Sequence, residues 1–242
     1  MQGDKAEHVH EVFSKIARRY DVMNSVLSFQ QHRLWRHFAM RQLPLRRDSK
    51  ILDVAAGTGA WTFSMAKRLG PQGHVTGLDF TEAMLEVAQE RLATCPERDR
   101  IDFIHGNAMD LPFEDNQFDI ATVGFALRNM PSVEKCLQEM LRVVKPGGVV
   151  VSLELSKPDS ALFRRLYYFY FYKVLPRIGS LVVKDDAPYS WLPESLIDFP
   201  NRHQLEQIFV DLGMTKVKSY PLTMGIAALH IGYKALPGQE TM

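Results

Sequence analysis

The spacing of hydrophobic positions changes period near residue 50. Before it, residues 5–23 (KAEHVHEVFSKIARRYDVM) place Val9, Val12, Phe13, Ile16 and Tyr20 three and four apart, which predicts an amphipathic helix. A second helix is expected over residues 28–43, with Ser28 as its cap and Leu34, Trp35, Phe38 and Leu43 facing inward. From KILDV onward, short apolar runs alternate with helix-period segments. Strands are expected in KILDV, HVTGLDF, RIDFIH, FDIATVG (118–124) and VVVSLEL, and helices in WTFSMAKRLG, TEAMLEVAQERLA, PSVEKCLQEMLRVV and HQLEQIFVDLG. The final KVKSYPLTMGIAALHIGYK reads as two strands around a Pro/Gly-containing turn.

This order predicts an α/β fold: a mostly parallel sheet with helices on both faces and an antiparallel hairpin at the end. The expected organisation is a single domain over 1–242. Residues 1–48 form a helical cover, 49–155 a ligand-binding core, 156–200 an aromatic-rich insert or lid, and 201–242 a helix and hairpin. The insert breaks the alternation: ALFRRLYYFYFYKVLPRIGSLVV mixes rings with Arg164, Arg165, Lys173 and Arg177. Such a segment suits either a core-facing cover, a dimer face or an interfacial helix.

Composition narrows the classes. The chain carries 29 basic and 28 acidic residues, a net charge of +1, which offers no footprint for nucleic acid. Its two cysteines, Cys95 and Cys136, have no metal-ligand spacing and read as free thiols of a reducing compartment. His8, His10, His203 and His230 have no metal spacing either. No secretory signal or spanning segment is expected, so the localisation expected is cytoplasmic, with peripheral contact at the inner face of a membrane at most.

The candidate chemistry lies where parallel strands end. The first strand leads into Asp53-Val54-Ala55-Ala56-Gly57-Thr58-Gly59. Gly57 and Gly59 permit a tight turn, but the third glycine of a dinucleotide fingerprint is replaced by Thr62, which argues against a pyrophosphate ligand. Asp79 ends the second strand, about 20 residues on, where a ribose-hydroxyl acceptor stands in nucleoside binders. Its plainer reading is a helix cap. Asn107, with Ala108 and Met109, offers an amide to an adenine edge, or simply an Asx turn. Together these predict an adenosine site without pyrophosphate, for which S-adenosylmethionine is the leading ligand. After the fourth strand come Arg128 and Asn129, polar residues where an apolar run ends. His32 is a candidate base or a helix-bound structural histidine, and Glu154 sits at the next strand end.

Several longer motifs carry a resemblance. They include FSKIARRYDVMN, SFQQHRLWR, LDVAAGTGAW, GLDFTEAML, GNAMDLPFEDNQFD, GFALRNMP, LELSKP, YSWLPES and GIAALHIGYK. The chain resembles the C-methyltransferases of menaquinone and ubiquinone biosynthesis over almost its whole length. The resemblance implies a class I, Rossmann-like methyltransferase fold and methylation of a ring carbon of a reduced prenylated naphthoquinol by S-adenosylmethionine, with no metal; a prenylated benzoquinol is the alternative acceptor. It implies cofactor contacts around Thr58, Asp79 with Phe80, and Asn107–Ala108, and acceptor-side roles for Tyr20, Arg128 and Asn129, with Tyr189 as a further substrate-side candidate. Asp185 and Asp186 depart from the family pattern beside that tyrosine. Homodimerisation is the default expectation. A methyltransferase acting on oxygen or nitrogen of another small molecule, or a nucleoside-binding regulator, stay open at this point.

Overall fold

The computed structural model describes residues 2–169 and 195–238. In chain order these form α1 (Gln2–Ile16), a 3-10 turn (Ala17–Arg19), α2 (Tyr20–Leu27), α3 (Gln31–Gln42), β1 (Lys50–Val54), α4 (Ala60–Ala66), β2 (His74–Asp79) and α5 (Glu82–Leu92). They continue with β3 (Ile101–His105), β4 (Phe118–Gly124), α6 (Val133–Val143), β5 (Val144–Leu155), α7 (Ala161–Phe169), α8 (Arg202–Asp211), β6 (Met214–Leu222) and β7 (Ala227–Lys234).

The seven strands lie in the order β3-β2-β1-β4-β5-β7-β6. β1 to β5 pair in parallel, and β7 is antiparallel to both β5 and β6. Strand order reverses between β1 and β4, so the crevice beyond their carboxyl ends is where such a sheet takes ligands. Each face of the sheet has its own core. Trp35, Ala39, Trp61, Met65 and Leu69 cover one, and Leu137, Met140, Leu205 and Phe209 the other. The central strands are buried over most of their length, as parallel strands covered on two sides are.

Some expectations need correction. The single helix expected over 5–23 is broken at Ala17–Arg19. Buried Ala17 packs there against Met84 and Val87 of α5, and this contact overrides the local helix period. Ser28 does not open the next helix but closes α2, its Oγ donating to the Asn24 carbonyl at 2.6 Å. Phe29 and Gln30 turn the chain through left-handed backbone (φ 47° and 64°) before α3 starts. Leu34 is exposed rather than inward, because Trp35, Ala39 and Leu43 take the core stripe and each residue advances the helix by about 100°. The KPGG segment after α6, which the sequence reads as a turn between helix and strand, is drawn into β5 across a register shift against β4. The part of the aromatic insert beyond Phe169, and Tyr189 with it, lies outside the described residues.

Candidate active site

The turns leaving β1 and β4 are built alike. Each strand is followed by a non-glycine residue in left-handed backbone, Ala55 (φ 54°) and Phe125 (φ 57°). That conformation is uncommon for a bulky side chain and persists only where surroundings hold it. Phe125 is held by its N–H donating to the Leu153 carbonyl at 2.8 Å. Its carbonyl in turn accepts from Arg128 Nη1 at 2.6 Å. Gly57, also left-handed, would turn a Cβ into open space. A Cβ on Gly59 would stand 2.6 Å from the Phe103 ring, so Gly59 serves helix–strand packing. The packing role expected of a glycine at 62 is thus filled three residues earlier.

Three cavities meet at these turns. The first, about 170 Å³, is walled by Asp79, Phe80, Asn107, Ala108, Met109 and Asn129 among others. The second, about 420 Å³ and mostly apolar, lies between the N-terminal helices, α7 and the β4–β5 edge, with His32, Trp35, Arg128, Phe163 and Tyr167 in its wall. The third, about 40 Å³, is polar and is lined by Asp21, Arg36, Asp53 and Thr58. Tyr20 and Phe125 belong to the walls of all three.

In the first cavity, Asp79 accepts Gly57 N–H on Oδ2 at 2.7 Å and Thr81 N–H on Oδ1 at 2.8 Å. Burial raises its pKa above the usual carboxylate value, against those two bonds and a further one from the Thr81 side chain. Asp79 is in the cavity wall, where its carboxylate is an acceptor for a hydroxyl. Asn107 Oδ1 accepts Met109 N–H at 2.9 Å, an Asx turn that identifies the oxygen and leaves the amide nitrogen as donor. Phe80 stands half-exposed between the rings of His10 and His105, stacked on the latter at 5.9 Å.

The third cavity is floored by Asp53, whose oxygens accept from Thr62 Oγ1 at 2.7 Å and Thr122 Oγ1 at 2.8 Å. Burial lifts its pKa to about 6. The Thr58 hydroxyl donates to Asp21 at 3.1 Å, and Asp21 pairs with Arg91 at 2.5 Å. α2 is thereby latched to the glycine turn. Sequence reasoning missed Asp21, although it follows Tyr20 directly. It also missed Arg36, the last residue of SFQQHRLWR. Arg36 has no hydrogen-bond or ion-pair partner among the described residues, and burial lowers its pKa, opposed by the nearby Tyr20, Asp21 and Asp53. A guanidinium in a cavity wall with no direct hydrogen-bond partner of its own can take a carboxylate.

Arg128 and Asn129 are neighbours in sequence but open onto different cavities, Arg128 onto the second and Asn129 onto the first. Arg128 Nη1 pairs with Glu154 Oε1 at 2.6 Å, both side chains being buried. Glu154 also accepts the Arg128 and Leu155 N–H groups, at 3.3 and 2.8 Å. Glu154 is behind Arg128 and does not line any of these three cavities. Tyr20 has its pKa raised by burial, opposed by a hydrogen bond with the Asn24 side chain and by the Arg128 charge. Among the described residues, no group of three His, Cys, Asp or Glu side chains is placed to hold a metal ion, and no helix is long and apolar enough to cross a membrane.

The sequence matches the ubiE/COQ5 methyltransferase family over residues 1–234. The chain belongs to that family. A demethylmenaquinone methyltransferase of Bacillus cytotoxicus is 47% identical over 97% of this chain and 98% of that protein. One from Halalkalibacterium halodurans is 46% identical over 100% of this chain and 98% of its own. Solved structures agree in fold. A putative S-adenosylmethionine-dependent methyltransferase of Methanococcus maripaludis superposes with a TM-score of 0.67 at 19% identity, covering 95% of both chains. A Thermotoga maritima S-adenosylmethionine-dependent methyltransferase gives 0.66 at 18% identity, covering 93% of this chain and 98% of that one. Membership of the family makes the chain an S-adenosylmethionine-dependent methyltransferase with the class I fold.

Proposed function

We propose that this enzyme methylates a ring carbon of demethylmenaquinol, giving menaquinol and S-adenosylhomocysteine. The observation that carries this reading is the meeting of a polar-edged nucleoside cavity and a larger apolar cavity at Tyr20 and Phe125. The relatives' activity supplies the identity of the acceptor.

When bound, S-adenosylmethionine supplies an electrophilic methyl group. Asp79 holds the ribose hydroxyls, Asn107 the adenine edge and Arg36 the methionine carboxylate. The left-handed turns at Ala55 and Phe125 clear the passage between donor and acceptor. Trp35, Phe163 and Tyr167 bury the quinol ring and exclude water, which aligns the reactants and strengthens local electrostatics. Arg128 edges the acceptor cavity and favours negative charge developing on the quinol oxygen. Since Glu154 offsets part of its charge, its other task is to hold the Phe125 turn. The ring proton is released to water ordered by Tyr20 and Arg128.

The test is transfer of label from S-adenosylmethionine to a short-tailed, chemically reduced demethylmenaquinol, with a prenylated benzoquinol beside it. Label on the naphthoquinol ring carbon is expected. Label on neither acceptor, with cofactor binding intact, would return the weight to another acceptor. For Arg36→Gln, S-adenosylmethionine affinity is expected to fall about tenfold or more through loss of a charged hydrogen-bond pair. 5′-Methylthioadenosine, which lacks the carboxylate, should bind unchanged. Equal loss for both ligands would remove Arg36 from this role.

The acceptor cavity also opens toward lipid on this reading. Phe29 lines it and is exposed, as are Leu162 and Met224, the chain neighbours of lining residues Phe163 and Thr223. Arg164 and Arg165 are exposed on the same α7. Apolar side chains beside basic ones suit the surface of an anionic bilayer. Sedimentation with anionic vesicles, lost on Leu162→Asp, is expected. A lipid-independent dimer burying the same residues, seen by light scattering, would replace membrane contact with self-association.

A further inference from the structure

His32 is in the wall of the acceptor cavity and only 8% exposed. Its Nδ1 lies 2.7 Å from Ser28 Oγ. The same hydroxyl lies 2.6 Å from the Asn24 carbonyl, which can only accept. Ser28 has one proton and must give it to Asn24. Its oxygen therefore accepts from His32, and Nδ1 carries the hydrogen. Burial, reinforced by Arg36 and Arg33, lowers the imidazole pKa to about 4, so near neutral pH no second proton sits on the ring. Nε2 is left as a bare acceptor, with no protein partner among the described residues.

Resting on the assignment of this cavity to the quinol ring, we infer that His32 Nε2 reads the oxidation state of the acceptor by accepting a hydrogen bond from a ring hydroxyl. A quinol offers an O–H there. The corresponding quinone offers only a carbonyl oxygen, whose lone pairs meet the lone pair of Nε2. A buried acceptor left without a donor is costly, and a site built for a hydroxyl rejects the analogue lacking it. The oxidised ring is also the form that cannot be methylated, since it lacks the electron-rich carbon. His32 thus keeps the cavity from being occupied by an unreactive relative of the substrate. Ser28 and Asn24 act through it, as positioning residues that hold the tautomer.

The experiment is anaerobic equilibrium dialysis of the full chain, saturated with S-adenosylhomocysteine. The ligands are a 2-prenyl-1,4-dihydroxynaphthalene and its 1,4-naphthoquinone. The wild type is expected to bind the quinol at least tenfold tighter. His32→Gln conserves bulk, but its amide can rotate to meet either an O–H or a carbonyl. It is expected to bring the two affinities within about threefold. His32→Leu is expected to weaken quinol binding about tenfold and, with the lone-pair clash removed, to leave quinone binding at least as tight as in the wild type. Intact S-adenosylhomocysteine binding by both variants reports that they are folded. A wild-type quinol/quinone ratio retained in His32→Gln overturns the inference. Equal binding of both ligands by the wild type overturns it too, while leaving the methyl-transfer reading in place. Binding of neither removes both together.

Discussion

Arg128→Ala is expected to destabilise the fold by about 3–5 kcal/mol and to reduce turnover at least a hundredfold. The stability loss follows from burial: Glu154 is 1% exposed and would be left with its charge unpaired. The turnover loss has a separate origin. Arg128 Nη1 also holds the carbonyl of Phe125, the left-handed residue at the junction of the cavities. Without it the turn is free to relax into the passage. Two further variants separate these effects. Arg128→Leu with Glu154→Leu removes both charges, and urea unfolding should show most of the stability restored, because buried ion pairs exchange for apolar side chains at little cost. Turnover should stay low in that protein, since neither the brace nor the positive edge of the acceptor cavity returns. Arg128→Lys keeps the charge but not the planar fork that reaches Phe125 and Glu154 together, and should be intermediate in turnover. Wild-type stability and turnover in Arg128→Ala would mean that the pair neither braces the turn nor serves the reaction.

The second large effect is on cofactor binding. Asp79→Asn should weaken S-adenosylmethionine about a hundredfold. A carboxylate that accepts two ribose hydroxyls contributes about 1.5 kcal/mol or more per bond at the low end for a charged acceptor, about 3 kcal/mol in all. The amide also cannot accept both Gly57 and Thr81 N–H groups, so the glycine turn loosens with it. Isothermal titration with S-adenosylmethionine measures the loss. 2′,3′-Dideoxyadenosine, which has no hydroxyls to offer, separates the two contributions: its affinity should change much less. If the Asp79→Asn variant bound S-adenosylmethionine within threefold of the wild type, Asp79 would be a cap for the following turn and nothing more.

The alternation of short apolar runs with helical stretches was enough to place five parallel strands and the closing hairpin, because each run reports its own burial on both faces of a sheet. The β4 limits, Phe118 and Gly124, are legible in the sequence for that reason. So is the position of Asp79, because a carboxylate at a strand end stands out against the apolar run before it. The helix breaks are not legible in this way. Ala17 leaves the α-helical path through its contact with Met84 and Val87, residues far along the chain, and no local period records such a contact. Ser28 looks like the start of a helix because serine caps helices, and the structure uses its hydroxyl at the end of the preceding one instead.

The chain by itself therefore determines the class of fold, the row of strand-end residues and, through its motifs, the kind of chemistry. Those properties depend on neighbours in sequence and on the periods of helix and strand. What faces what is decided only by packing. Tertiary structure parts Arg128 from Asn129, one into each cavity, gathers Asp21, Arg36, Asp53 and Thr58 around a third, and brings Tyr20 and Phe125 from distant segments to the point where all three meet. It also decides the proton on His32, because the choice between two ring nitrogens rests on a serine hydroxyl already committed to a carbonyl one helical turn away.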